Sequence, residues 1–93
     1  GADATRRFLR LFPLDDSFPQ LSEALGRGDV QTAFRAAHTL KGVAANLGLA
    51  QLCAAASDMT ECLRRGELSG AQARFPETET AYRQVLAALE ELE

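Results

Sequence analysis

Residues 29–48 read DVQTAFRAAHTLKGVAANLG, and this stretch decides the fold. Val30, Ala33, Phe34, Ala37, Leu40, Ala44 and Leu47 recur at the three- and four-residue spacing of an amphipathic helix. Asp29 stands at the N-cap position, and Gly48 stands where a helix stops. Ala and Leu dominate the whole chain, β-branched residues are scarce, and no stretch alternates apolar with polar residues as a half-buried strand would.

The same periodicity extends outward. Upstream, Phe18, Leu21, Ala24 and Leu25 mark a helix that ends at Gly26–Gly28, with Asp15, Asp16 and Ser17 as candidate N-caps and Pro19 in its first turn. A shorter segment, about Ala4–Phe12, carries Phe8, Leu9, Leu11 and Phe12 and is stopped by Pro13. Downstream, Leu49, Leu52, Cys53, Ala56, Met59 and Leu63 predict a helix over Leu49–Arg65. Arg64 and Arg65 complement its C-terminal dipole, and Gly66 ends it. A last helix starts at Ser69 or Thr78 and places Phe75, Glu79, Tyr82, Leu86, Leu89 and Glu93 near one face, with Val85 and Leu92 beside it. Pro76 sits in its first turn or kinks it. Short connections make sequential helices antiparallel neighbours. The expectation is an all-α chain: an antiparallel four-helix bundle with a short additional N-terminal helix, one domain over residues 1–93.

Composition bounds the chemistry. The 93 residues are 46% hydrophobic and 25% charged, enough apolar mass to exclude a disordered chain. Ten Lys and Arg against thirteen Asp and Glu give a net charge of −3, which argues against a sequence-independent grip on nucleic acid. No apolar run approaches the roughly 18 residues of a membrane span, and no signal peptide is visible, so a cytoplasmic protein without a membrane role is expected. One His, one Lys, one Tyr, no Trp and two Cys exclude a multi-His or Cys/His cluster, and no metal site or other cofactor is expected on this chain. Cys53 and Cys62 are nine residues apart on one helix, about 13 Å along its axis. Disulfide Cα atoms lie within about 7 Å, so the two read as core or boundary thiols in a reducing compartment.

The only His and the only Lys lie within residues 29–48, three positions apart, as surface neighbours on a helix. With Phe34 at zero and ~100° per residue, the apolar stripe centres near ~280°, His38 falls near ~40°, Lys41 near ~340°, Ala45 near ~20° and Gly42 near ~80°. His38 therefore stands beside the stripe and points to solvent or a groove edge, with Gln31 and Arg35 on the same side. Gly42 in a helix interior costs roughly 1 kcal/mol relative to Ala. With Ala45 nearby it leaves the surface around the imidazole free of bulk, so a large partner can come close. A neutral imidazole is a competent nucleophile, and its reference pKa of about 6.5 leaves it mostly neutral near pH 7. A phosphoryl group on the ring nitrogen carries charge that a nearby ammonium balances. The pattern suggests phosphoryl transfer to His38, although a lone surface His beside a Lys is equally the mark of a solvated helix face.

The segment Ala36-Ala37-His38-Thr39-Leu40-Lys41-Gly42-Val43-Ala44-Ala45-Asn46-Leu47-Gly48 resembles the signature of histidine-containing phosphotransfer (HPt) domains. Gly28-Asp29 before it, and Leu52 and Thr60–Gly66 after it, resemble the flanking parts of that family. The resemblance implies a four-helix bundle whose His, matching His38, exchanges a phosphoryl group with an aspartate of a response-regulator receiver domain. It implies that Lys41 stabilises the phosphoryl group and that Gly42 permits close approach. Magnesium and the catalytic carboxylates would belong to the receiver, which makes this chain a carrier and not a kinase. Gln31, Phe34, Arg35, Gly42 and Ala45 are the expected partner-binding residues. The implied partners are a receiver domain and a hybrid sensor histidine kinase.

Other motifs carry less. Gly26-Arg27-Gly28-Asp29 follows no strand, so it reads as a helix stop and a cap instead of a nucleotide loop or an adhesion tripeptide. Glu77, Glu79, Glu90, Glu91 and Glu93 read as a solvated helix face, and Arg6, Arg7 and Arg10 as a small basic edge. The competing readings are a structural helical interaction module with an incidental His, and the phospho-accepting part of a chemotaxis-type kinase. The latter would need an ATP-binding domain, and none is visible in this sequence.

Overall fold

The structure is a computed structural model that describes residues 15–91. Its order is α1 (Ser17–Arg27), α2 (Val30–Asn46), α3 (Ala50–Arg64) and α4 (Leu68–Glu90). Among the described residues there is no strand. The expected segment Ala4–Phe12, the basic edge of Arg6, Arg7 and Arg10, and the positions of Leu92 and Glu93 lie outside the described residues.

The connections explain the antiparallel bundle. At the end of α1, Gly28 adopts the left-handed conformation (φ 73°), which a side chain would oppose. The Asp29 N–H then reaches back to the Ala24 carbonyl at 2.9 Å, and the chain reverses at once. Leu49 N–H to Ala44 O and Glu67 N–H to Cys62 O, both 2.9 Å, repeat the device after α2 and α3. The starts are less uniform. Asp29 caps α2, accepting from the Thr32 N–H at 3.1 Å and the Thr32 hydroxyl at 2.7 Å. At α1 it is Asp15, not the N-cap Asp16, that accepts the Ser17 N–H, at 2.9 Å.

The core is built from a few large side chains among many alanines. Leu21, Leu40, Leu52 and Met59 are fully buried, and Ala24, Ala33, Ala37, Ala44, Ala56 and Ala71 let the helices approach closely. α2 packs on both α1 and α3, while α4 packs mainly on α3. Phe18 of α1 stacks on Tyr82 (ring centroids 4.0 Å) and on Phe75 (5.4 Å), fastening α1 to α4. Burial pushes the Tyr82 hydroxyl pKa up. Cys62 is buried and Cys53 half-buried, and both are free thiols.

The last helix departs from expectation. It starts at Leu68, one residue before Ser69 and well before Thr78, because the reversal at Gly66–Glu67 leaves the chain already in helical register. Pro76 therefore lies inside it, beyond the first turn. Proline removes the N–H that the Gln72 carbonyl would accept, and both residues face solvent, where water can serve that carbonyl. The Gln72 side chain meanwhile donates to the Leu25 carbonyl at 2.9 Å, tying α4 to the end of α1. The buried line of α4 is Ala71, Thr78 and Ala81, flanked by half-buried Phe75, Tyr82, Val85 and Leu89. Thr78 thus belongs to the core, although a reading for apolar residues passes over it.

Candidate functional site

The Asp29 cap fixes where α2 starts, and 3.6 residues per turn then fixes which side chains look outward. Ala33, Ala36, Ala37, Leu40 and Ala44 turn inward. Gln31, Arg35, His38, Thr39, Gly42 and Ala45 are exposed, and Phe34 and Lys41 are half-buried. His38 thus stands beside the buried stripe and faces solvent, the orientation expected from the spacing.

One turn before it, the Phe34 ring lies 6.1 Å from the imidazole, inclined at 37°. Arg64 comes from the last turn of α3 and places its guanidinium carbon 5.1 Å from the Phe34 ring centroid. Its Nε also lies 3.4 Å from Glu61. Phe34, Arg35, His38, Thr39 and Arg64 line an open cleft of about 450 Å³. A neighbouring cleft of about 460 Å³ shares Phe34, Arg35 and Arg64 and adds Val30, Gln31, Leu63 and Gly66. Among the described residues neither cleft has a carboxylate in its lining, so the charged lining they supply is entirely cationic in a chain of net charge −3.

Lys41, Gly42 and Ala45 line neither cleft. They continue the ridge of α2 on the other side of His38, at the three-, four- and seven-residue spacings that share one helix face. A Cβ built on Gly42 would meet nothing within 4 Å, so the approach over that turn is open. Lys41 makes no ion pair among the described residues.

Residue patterning found the α2 half of this surface and missed the α3 half. Arg64 reads from sequence as a complement to the dipole of its own helix. Helical spacing relates residues of one helix only, and it gave no signal that Arg64 crosses to Phe34. Thr39 and Leu63 were missed as lining residues for the same kind of reason.

Chemically, the surface offers an accessible ring nitrogen, cations on both sides of it and an apolar floor at Phe34. That combination suits an anionic group delivered by a partner. Among the described residues no three His, Cys, Asp or Glu side chains converge as a metal site would require. No helix among them is long and apolar enough to cross a membrane. The family model described as Hpt domain matches residues 14–93. No curated protein and no solved structure matches the chain.

Proposed function

The chain belongs to the Hpt domain family, the histidine phosphotransfer carriers of phosphorelays, and we propose that His38 is the residue that takes the phosphoryl group. The observation that carries this is the exposed imidazole in a cleft whose only charged side chains among the described residues, Arg35 and Arg64, are cationic. The donor and acceptor are aspartates of response-regulator receiver domains, with a hybrid sensor histidine kinase upstream. Residues 1–93 act as one domain in the cytoplasm, without nucleic acid or membrane as partner. Gln31, Phe34, Arg35, Gly42 and Ala45 form the docking face.

In the forward step the lone pair of the unprotonated ring nitrogen forms a bond to phosphorus. The bond from phosphorus to the aspartyl oxygen breaks, and the carboxylate leaves with its electron pair. Lys41, one turn from the ring, balances the transferred charge as a mobile point charge. Magnesium and the carboxylates that hold it are supplied by the receiver, so the carrier needs neither a cofactor nor a second base. Because a relay must release its partner, the interface belongs at the small, transient end of the size range.

The test is transfer from a phosphorylated receiver in the presence of magnesium. Acid-labile, alkali-stable label on the wild-type chain, absent in His38→Gln, is expected. No transfer from any of several receivers would favour a structural interaction module instead.

A further inference from the structure

Among the described residues, Arg64 is the one cation in the His38 cleft that comes from another helix, and it is held by two weak contacts. Its guanidinium lies 5.1 Å from the centroid of the Phe34 ring, and its Nε pairs with Glu61 at 3.4 Å. Both charged partners are about half exposed, at 55% and 50% of their side-chain surface. Exposed ion pairs and exposed cation–π contacts are each worth little. The imidazole of His38 shares Phe34 as a neighbour, at 6.1 Å, and opens into the same cleft. A phosphoryl group on that ring would bring further oxygen acceptors and added negative charge into the space that Arg64 lines. The planar guanidinium fork binds such oxygens through paired, charge-assisted hydrogen bonds, which outweigh the two contacts it would give up.

We propose that Arg64 reads the phosphorylation state of the domain: resting over Phe34 when His38 is bare, it moves to the phosphoryl oxygens when His38 is charged and uncovers the Phe34 ring. The inference rests on His38 being the phosphoryl acceptor. Phe34 and Arg64 line both clefts, so one side-chain movement changes the apolar floor of both. A receiver that makes an apolar contact there would then distinguish the charged carrier from the spent one. Arg64 is a positioning residue in this scheme, and Lys41 remains the cation on the other side of the ring. Arg35 is exposed and has no ion pair or aromatic perch among the described residues, so it has no resting place to leave.

The experiment uses phosphoramidate, a small-molecule donor that needs no receiver. The imidazole–phosphorus bond forms as the donor's own P–N bond breaks, and the ring proton leaves with ammonia. Side-chain NMR then follows the Arg64 Nε–H and the Phe34 ring protons in the bare and charged domain. In the wild type, charging should move the Arg64 Nε–H downfield and shift the Phe34 ring signals. In Arg64→Gln the Phe34 change should shrink to the part caused by the neighbouring phosphoimidazole. The phosphohistidine of Arg64→Gln should also hydrolyse about fivefold faster than that of the wild type. An unmoved Arg64 signal with His38 fully labelled, or the same Phe34 change in Arg64→Gln, would overturn the inference while leaving His38 as acceptor. Failure to label His38 at all would remove the functional reading and this inference together.

Discussion

The imidazole of His38 and the ring of Phe34 stand 6.1 Å apart and inclined at 37°, one helical turn from each other on α2. Phe34 also carries Arg64 on its ring. One aromatic side chain thus links the candidate acceptor to a cation from α3, a link that no periodicity within α2 contains.

Phe34→Leu keeps an apolar residue of similar reach but removes the ring. We expect transfer from a phosphorylated receiver to slow roughly threefold to tenfold. Stability should fall by only about 1 kcal/mol, because the side chain is half-buried and the swap stays apolar. Transfer kinetics and urea unfolding on the same preparation separate the two effects, and unchanged transfer would dismiss the ring's role.

Lys41 is half-buried and free of ion pairs among the described residues. Replacing it with Ala removes a charge beside His38 without opening a salt bridge. The expected outcome is transfer slower by roughly fivefold, or a phosphohistidine lifetime shorter by a similar factor, with the thermal midpoint nearly unchanged. Identical kinetics in the variant would refute its part in stabilising the phosphoryl group.

Gly42 separates stability from docking. Nothing lies within 4 Å of a Cβ built there, and the residue is inside α2. Gly42→Ala should stabilise the fold by roughly 0.5–1 kcal/mol and leave transfer nearly intact. Gly42→Trp should fold and keep His38 but lose receiver docking, measured by binding of the receiver. Normal docking of the Trp variant would place the interface elsewhere.

Thr78 is fully buried on α4, and its hydroxyl finds no hydrogen-bond partner among the described residues. An unpaired buried hydroxyl is destabilising, and valine has nearly the same shape. Thr78→Val should raise unfolding stability by about 1 kcal/mol. A destabilised variant would mean that the hydroxyl is satisfied in solution.

Asp29 makes the start of α2 sensitive to acid. The Thr32 hydroxyl, then the Thr32 N–H, hold its carboxyl pKa below the ordinary carboxylate value, with Arg27 adding to the shift. A depressed pKa contributes stability that is present above the unfolded value of about 4 and is lost as pH falls through the folded value. In Asp29→Asn the amide oxygen can still accept a bond, but nothing titrates. Its stability should therefore fall less steeply than that of the wild type as the pH drops below about 4. Parallel curves for the two proteins would remove Asp29 from the acid response.

The sequence was most legible where one helix carries its own information. The stripe of α2 and the outward direction of His38 followed from spacing, as did the stops near Gly28, Gly48 and Gly66. The buried line of α4 was harder, because Thr78 is polar and Ala71 and Ala81 are too small to stand out. Its start, one residue before Ser69, could not be chosen over Thr78 from sequence, because Glu67 makes no side-chain cap to advertise it. The cation–π contact of Arg64 with Phe34 was beyond a sequence reading altogether. It depends on how α2 and α3 align, which is set by closely packed alanines, and not on any local motif.

The reversals at Gly28, Gly48 and Gly66 leave the chain almost no slack between helices. Among the described residues, no connection between helices is long enough to fold over α2. A phosphoryl group on the exposed His38, as proposed, would be open to water and to a docking partner. How long it survives would then rest on the cations beside it, Lys41 and Arg64, and who collects it on the fit of the visitor.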